Sequence, residues 1–187
     1  EPFRAMEDGQ HVIGELAESW SWSDGGKKLT FKLRRGVTWH DGKPFTANDV
    51  KFTFDVARGT SDKRFKMNPR KDWWGNIAEI TTNGDYEVAF NLKAPQPSLI
   101  SFLANGYAAV YPAHVEPQEI RLKPVGTGPF MLKEAKADEK LELVKNPDYF
   151  VKGRPYLAGI SYTVIQSRPS RVAAMQALNE KTFKYRR

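Results

Sequence analysis

The sequence contains no cysteine among its 187 residues. Disulfides, zinc–thiolate sites, iron–sulfur clusters and cysteine nucleophiles are therefore excluded. Long apolar runs are also missing, since the longest spans only residues 107–111. A membrane-spanning helix needs about 20 apolar residues and the core of a signal peptide about 7–15. Neither element is present within the chain, although a signal peptide could precede Glu1.

The charge is basic but scattered. The chain carries 29 basic and 22 acidic residues, for a net charge of +7. Residues 1–30 are acidic overall, whereas the last seven residues hold four basic residues and no acidic one. Nucleic-acid binding requires a coherent basic patch, which this distribution does not supply. A basic nucleic-acid-binding module therefore remains only as an alternative, and no nucleic-acid partner is expected.

Catalytic and metal-binding patterns are weak. The three histidines, His11, His40 and His114, do not have metal-ligand spacing, and we expect His40 to be a turn side chain that bonds backbone. The Gly-Thr-Gly at 126–128 lacks the remaining residues of a phosphate loop, and no serine lies in a Gly-x-Ser-x-Gly context. We therefore predict no catalytic residue, no metal, no cofactor and no enzymatic activity.

Apolar residues alternate with polar ones in several short segments, as in half-buried strands. Turn sequences such as Asn-Gly-Asp at 83–85 separate these segments and favour antiparallel hairpins. Residues 47–58 are predicted to form a helix capped by Thr46. The remaining predictions are hairpins at 20–35, 77–92 and 130–144, a loop at 59–75, and strands at 108–111 and 160–166. A helix with Pro97 in its first turn carries Leu99, Ile100, Phe102 and Leu103 and ends before Gly106, and a last helix is capped by Ser167 or Ser170.

Most strand pairs are therefore predicted hairpins, and helices lie between them. This order favours an α+β fold rather than a regular β-α-β alternation. Trp20 and Trp22 share one face of a strand, so we expect them in the core, with Trp20 largely buried. Trp73 and Trp74 end a polar loop, where either core packing or a binding role is open.

Several motifs, in this order, closely resemble those of the family 5 extracellular solute-binding proteins, which are the oligopeptide-, dipeptide- and nickel-binding components of ABC importers. The resemblance covers residues 12–178. It rests on GELAESW at 14–20, LTFKLRRGV at 29–37, HDGKPFTANDV at 40–50, VGTGPF at 125–130, NPDYF at 146–150 and RVAAMQA at 171–177.

The resemblance implies a mixed β-sheet lobe with a small hairpin-rich subdomain, like lobe I of a type II periplasmic binding protein. Residues 12–110 would form the hairpin and helix subdomain, with 14–50 remote from the solute cleft. Residues 111–178 would supply strands and a helix of the main lobe, and 179–187 form an atypical basic tail. The family's second lobe has no counterpart in these residues, so we expect the chain to represent the first lobe alone.

The implied function is non-catalytic. A family member in the periplasm binds a solute, here expected to be a peptide, closes around it and delivers it to an inner-membrane permease. The alternative is a truncated stand-alone structural or interaction domain without transport activity. A bare cleft face would also favour self-association.

The candidate ligand-binding residues lie at two turns with exposed backbone groups, which a peptide main chain would use as partners. They are Asn105, Gly106, Tyr107, Thr127 and Gly128. The alternative reading is that the glycines only shape turns.

Overall fold

The computed structural model describes residues 3–5, 12–65, 67–120 and 122–184. The chain divides into two compact units: unit 1 comprises Glu1–Gly128 with Asp148–Lys152, and unit 2 comprises Pro129–Pro147 with Gly153–Arg187. The division falls later in the chain than the subdomain boundary near residue 110 that the resemblance implies. That subdomain boundary stays a prediction.

Unit 1 is built on antiparallel strands that are mostly neighbours in sequence. The strands are β1 (Phe3–Ala5), β2 (Val12–Gly14), β3 (Ala17–Ser23), β4 (Lys28–Leu33), β5 (Ile77–Thr82) and β6 (Glu87–Leu92). A four-stranded sheet has the order β3-β4-β6-β5, and β1 pairs with β2. The predicted hairpins at 20–35 and 77–92 are both confirmed.

The core of unit 1 lies between this sheet and helix α1 (Ala47–Arg58). On β4, Leu29, Phe31 and Leu33 are buried, as their alternation predicts. Phe54 of α1 packs edge-to-face against Phe90 of β6, with ring centroids 5.2 Å apart. Burial of these large apolar side chains is the main stabilising contribution in unit 1.

Trp20 is largely but not fully buried: it packs against the core without being one of its enclosed residues. Its strand, β3, is the outer strand of the sheet, paired on one side only with β4. Trp20 and Trp22 face Phe31 and Leu29 across that pair and pack against the edge of the core. An edge strand cannot enclose an indole from both sides.

Helix α1 begins and ends where the sequence predicts. The Thr46 N–H donates to Oδ2 of Asp49 at 2.8 Å, as in a capping box with Asp as its acidic member. Gly59 ends the helix with a positive φ of 76°, a conformation that glycine adopts at little cost. The predicted cap region at Thr46 is therefore confirmed.

Asp49 also joins α1 to two other segments, although its side chain is only 4% exposed. Oδ2 accepts the indole N–H of Trp39 at 3.3 Å, and Oδ1 accepts the backbone N–H of Ala113 at 2.8 Å. One turn along the helix, the Thr53 hydroxyl accepts the backbone N–H of Tyr111 at 2.8 Å. The side chains of α1 thus hold the segment 111–113.

The strand predicted at 108–111 is wrong. These residues have no strand geometry, because their backbone groups bond elsewhere. The Ala108 N–H donates to the Asn105 carbonyl, and Tyr111 bonds the Thr53 hydroxyl. A second short helix, α2 (Leu99–Leu103), precedes this segment as predicted, and a 3₁₀ turn (Lys71–Trp74) interrupts the predicted loop at 59–75.

Unit 2 is a three-stranded antiparallel sheet followed by a helix. The predicted hairpin at 130–144 is confirmed, and the predicted strand at 160–166 is shorter. Ser167 immediately precedes the helix, and its hydroxyl accepts the Ser170 N–H at 3.5 Å, so Ser167 is the cap of the two considered. The elements are β7 (Phe130–Lys136), β8 (Lys140–Lys145), β9 (Gly159–Thr163) and α3 (Arg168–Lys184).

The sheet of unit 2 has one apolar face. Cross-strand partners share a face, and Leu143 is paired with Leu132 and Ile160. Among the residues of unit 2 whose side chains are described, no aliphatic or aromatic side chain except proline is fully buried. Within the described residues, no helix of either unit has the length and apolar character needed to cross a bilayer.

Substituting Asp49 should strongly destabilise unit 1. In Asp49→Asn one oxygen becomes a donor, so a buried N–H loses its acceptor, and we expect a loss of about 2 kcal/mol in the free energy of unfolding. Thr46→Ala keeps the backbone N–H bond to Asp49, so it should cost about 1 kcal/mol or less. Denaturant unfolding of both variants checks this, and an equal loss for the two would contradict it.

The two units should differ in local stability. Amide protons of β8, the central strand of unit 2, should exchange faster than those of β6, a central strand of unit 1. Both strands are hydrogen-bonded to a neighbouring strand on each side, so a difference in their exchange rates reflects how deeply their side chains are buried. Hydrogen exchange measured by NMR tests this, and equal protection of the two strands would count against it.

Candidate ligand-binding surface

The 3₁₀ turn at the end of the 59–75 loop points its two tryptophans to different environments. Trp74 is 3% exposed and packs edge-to-face on Phe54, with centroids 4.9 Å apart. Trp73 is 39% exposed. Of the two roles left open for this pair, Trp74 has the core role and Trp73 is available at the surface.

Two further aromatic rings surround Trp73. Phe102 of α2 stacks on it at 5.8 Å with an interplanar angle of 28°, and Tyr107 meets it edge-on at 6.3 Å. Tyr107 is 63% exposed. We call Trp73, Phe102 and Tyr107 the aromatic patch. Exposed aromatic rings at close spacing are typical of surfaces that bind a ligand or a partner.

Arg70 lies over the aromatic patch. Its guanidinium carbon is 3.6 Å from the ring centroid of Tyr107 and 5.4 Å from that of Trp73. Among the described residues, Arg70 has neither an ion-pair partner nor a hydrogen-bond acceptor. Stacking uses the flat face of a guanidinium and leaves the N–H groups at its edge free to donate. The Arg70 guanidinium is therefore held over the aromatic rings, while its N–H groups have no acceptor among the described residues.

A pocket of about 460 Å³ opens beside this cation, within unit 1. Its volume lies within the range of small-molecule sites, roughly 300–1,000 Å³. Phe54 and Trp74 contribute buried aromatic surface, and Arg70 and Tyr107 contribute the polar groups near the aromatic patch. The other lining residues are Thr53, Ala57, Phe65, Met67, Asn68, Pro69, Ala108, Ala109, Tyr111, Pro117 and Ile120.

The local fold explains why these residues meet. Segment 107–111 forms one wall of the pocket. The Thr53 hydroxyl bonds Tyr111 at its end, and Asp49 bonds Ala113 two residues further on, so α1 anchors this wall. The opposite wall is the 67–70 stretch, where the Asn68 side chain donates to the Ala57 carbonyl at 2.6 Å. Both walls are thus anchored to the same helix.

The five predicted ligand-binding residues fall into two groups. Asn105 and Gly106 are exposed, and the Asn105 side chain accepts the Tyr107 N–H at 3.1 Å in a tight turn. Thr127 and Gly128 are half-buried, and His40 bonds the Gly128 carbonyl. Only Tyr107 of the five lines the pocket. The assignment of all five to a binding site stays a prediction.

Sequence reasoning missed Arg70 and Phe102. Arg70 precedes Trp73 by three residues. In a 3₁₀ turn, side chains three residues apart lie one above the other, so this spacing is the signal in the loop sequence that could have paired Arg70 with Trp73. Phe102 and Tyr107 carry no such signal, because only the packing of α2 brings them to the 3₁₀ turn.

The histidines have structural partners. His40 bonds backbone atoms of Gly126 and Gly128, which confirms the predicted backbone role, and His114 bonds the Asp41 carboxylate at 2.6 Å. His11 lies outside the described residues. Within the described part of the chain, no three His, Cys, Asp or Glu side chains cluster so that they could hold a metal ion.

Comparison with known proteins places these features in a family. Residues 11–179 match the profile of bacterial extracellular solute-binding proteins, family 5 middle region. The chain belongs to this family. The resemblance of the sequence motifs is therefore confirmed, together with the α+β fold that it implies, because the structural neighbours are binding proteins of this type.

Named relatives include peptide-binding proteins. The oligopeptide-binding protein AppA of Bacillus subtilis is 36% identical over 172 residues, which cover 87% of this chain and 31% of AppA. Its structure in complex with a nonapeptide superposes with a TM-score of 0.77 at 32% identity, covering 95% of this chain and 36% of that one. The dipeptide-binding protein of Escherichia coli is 28% identical over 186 residues, covering 88% of this chain and 35% of the relative.

Other members of the same fold hold different ligands. NikA from Brucella suis, in complex with Fe(III)-EDTA, superposes with a TM-score of 0.76 at 28% identity and covers 94% of this chain and 35% of that one. The chain thus spans about a third of the length of the relatives it matches.

Fluorescence quenching should separate the tryptophans. Trp39 and Trp74 are enclosed, Trp20 and Trp22 are partly buried, and Trp73 is the most exposed of the five. Trp73→Phe should therefore remove the largest share of the acrylamide-quenchable emission, whereas Trp39→Phe should remove little of it. Equal quenching of all five tryptophans in the folded protein would disprove the placement of Trp73.

Proposed function

We propose that this chain is the part of an ABC-importer solute-binding protein that contacts the solute, and that the solute is a peptide. The observation that carries the proposal is the match with AppA, which extends over nearly the whole chain and includes a structure with bound nonapeptide. The relatives are solute-binding proteins, and none of those named above favours the nucleic-acid-binding alternative.

The proposed mechanism involves no bond-making. The protein captures the solute outside the cytoplasm, in the periplasm or at the cell surface, and passes it to a membrane permease. Family members are solute-binding proteins, and the described residues offer a pocket and hydrogen-bond donors. Non-catalytic binding therefore fits the family.

The pocket and the aromatic patch suit a solute that has both an apolar group and a carboxylate. The pocket is lined mainly by apolar side chains, and the stacked Arg70 presents free N–H donors at its rim. Planar guanidinium edges match carboxylates by paired hydrogen bonds. A peptide supplies a carboxylate at its C-terminus and apolar groups from its side chains.

Main-chain recognition is the second element of the proposal. The exposed turn at Asn105–Gly106 adjoins Tyr107, so the Gly106 backbone is placed to meet a peptide, and Thr127 is the second candidate. The Asn105 backbone groups and the Gly128 carbonyl are already bonded within the chain. A binding site normally encloses most of its ligand, whereas a one-sided site leaves the ligand in water, where its hydrogen bonds only replace those to solvent. We therefore expect no submicromolar peptide affinity from residues 1–187 alone.

Self-association is a second candidate, favoured by exposed apolar side chains in unit 2. Tyr162 of β9 and Val172 and Met175 of α3 are all more than half exposed. Large uncovered apolar surfaces promote association. Sedimentation at several concentrations distinguishes this candidate, since a strictly monomeric chain would argue against it.

A graft tests the peptide proposal. Residues 12–179 replace the matching segment of the B. subtilis relative, and calorimetry with a mixed peptide library measures binding after a thermal melt has confirmed folding. Retained peptide binding is expected. A folded graft that binds no peptide would refute the proposed solute class.

Arg70 is tested in the same graft. Arg70→Gln should weaken binding about tenfold or more, because a hydrogen bond to a charged group is lost. Lys71→Gln is the matched control: it removes the same charge one residue away from an exposed side chain, and its effect should stay within about twofold. Equal effects of the two variants would show that general charge, not the stacked guanidinium, matters.

A further inference from the structure

His40 bonds the same short segment through both ring nitrogens. Nε2 lies 3.0 Å from the carbonyl oxygen of Gly128, and Nδ1 accepts the N–H of Gly126 at 3.3 Å. The backbone N–H of His40 adds a third bond, to the Gly126 carbonyl at 2.8 Å. A half-buried imidazole therefore closes on the Gly-Thr-Gly turn at 126–128.

These partners determine the protonation state of the ring. A carbonyl oxygen can only accept, so Nε2 carries the proton. A backbone N–H can only donate, so Nδ1 carries none. The observed geometry thus requires the neutral imidazole with its proton on Nε2. A second proton, on Nδ1, would face the Gly126 N–H and remove its acceptor.

The space between ring and turn is tight. A Cβ placed on Gly126 would lie 3.4 Å from Cε1 of His40, so the ring and the turn are in van der Waals contact. Loss of the bond to Nδ1 would leave the Gly126 N–H without this acceptor.

One carboxylate lies next to His40 in the chain. Burial acts to raise the pKa of Asp41, but hydrogen bonds from His114 and from the Lys43 N–H outweigh it and hold that pKa below its ordinary value. Asp41 therefore stays ionised between pH 5 and 8. Residues 125–128 carry no titratable side chain.

Two neighbouring elements contribute charges that already have partners. From α1, the Asp49 carboxylate binds Trp39, Thr46 and Ala113. From the 111–116 segment, His114 pairs with Asp41, and Glu116 pairs with Lys63. His114 is the other described imidazole in this region, so a His114 variant serves as the control.

We propose that His40 is a pH-sensitive clasp on the 126–128 turn: the neutral ring holds both glycines, and protonation at Nδ1 releases the Gly126 end. The turn is the last segment of unit 1 before the chain passes into unit 2 at Pro129. Acid would therefore loosen the 126–128 turn, which Pro129, the first residue of unit 2, follows directly in the chain. This inference does not depend on the identity of any solute.

The test follows the Gly126 amide by NMR hydrogen exchange in the full chain. Its rate is taken relative to that of Phe45, whose amide donates to the Val37 carbonyl at 2.9 Å, so the intrinsic pH dependence largely cancels. Between about pH 7.5 and about pH 5 the relative rate should rise about fivefold, as expected for the loss of one ordinary hydrogen bond. A constant ratio would overturn the proposal.

Two variants assign the effect. His40→Gln keeps a donor for Gly128 but cannot titrate, so the ratio should stay flat, whereas His114→Gln should leave the rise intact. The reverse pattern would transfer the effect to His114 and overturn the proposal. If His40→Gln does not fold, the ¹⁵N shifts of the wild-type imidazole decide, because a neutral ring protonated on Nδ1 contradicts the clasp.

Discussion

The buried carboxylate of Asp49 is the interaction on which the arrangement of unit 1 depends. It accepts N–H groups from the start of α1, from the Trp39 indole and from the 111–113 segment. A buried carboxylate must be compensated by donors, and each donor here comes from a different part of the chain. Because all three N–H groups bind the same buried carboxylate, Asp49 holds the three segments next to one another.

The pocket inherits its shape from this arrangement. Its wall at 107–111 is held by α1 side chains, and its floor is the aromatic contact of Phe54 with Trp74. Arg70 is held over Tyr107 without an anionic partner among the described residues. The relatives show that the same fold accommodates a nonapeptide in one protein and a metal chelate in another. Side chains, rather than the fold, therefore distinguish the solutes of those proteins.

The two units differ in how far each can sustain itself. Unit 1 buries aromatic and aliphatic side chains from a sheet and two helices, whereas the sheet of unit 2 leaves its apolar face half-buried. A small sheet is stable only when its apolar face is covered. The chain spans about a third of the length of its relatives.

Local patterns in the sequence were sufficient for most elements. Alternation predicted the hairpins at 20–35, 77–92 and 130–144, and the capping pattern at Thr46 predicted α1, because these elements form between residues close in the chain. The motifs that identified the family are likewise short runs of neighbouring residues, which can be read from the sequence directly.

The tertiary structure decided what depends on distant partners. The apolar run at 108–111 looked like a strand, but its backbone is bonded to α1 and to its own turn. Trp20 packs against the core without being enclosed by it, because its strand lies at the edge of the sheet. Arg70 over Tyr107, and His40 closing on Gly126, join residues far apart in sequence. Such contacts leave no periodic trace, because packing between elements, not the local backbone, determines which side chains meet.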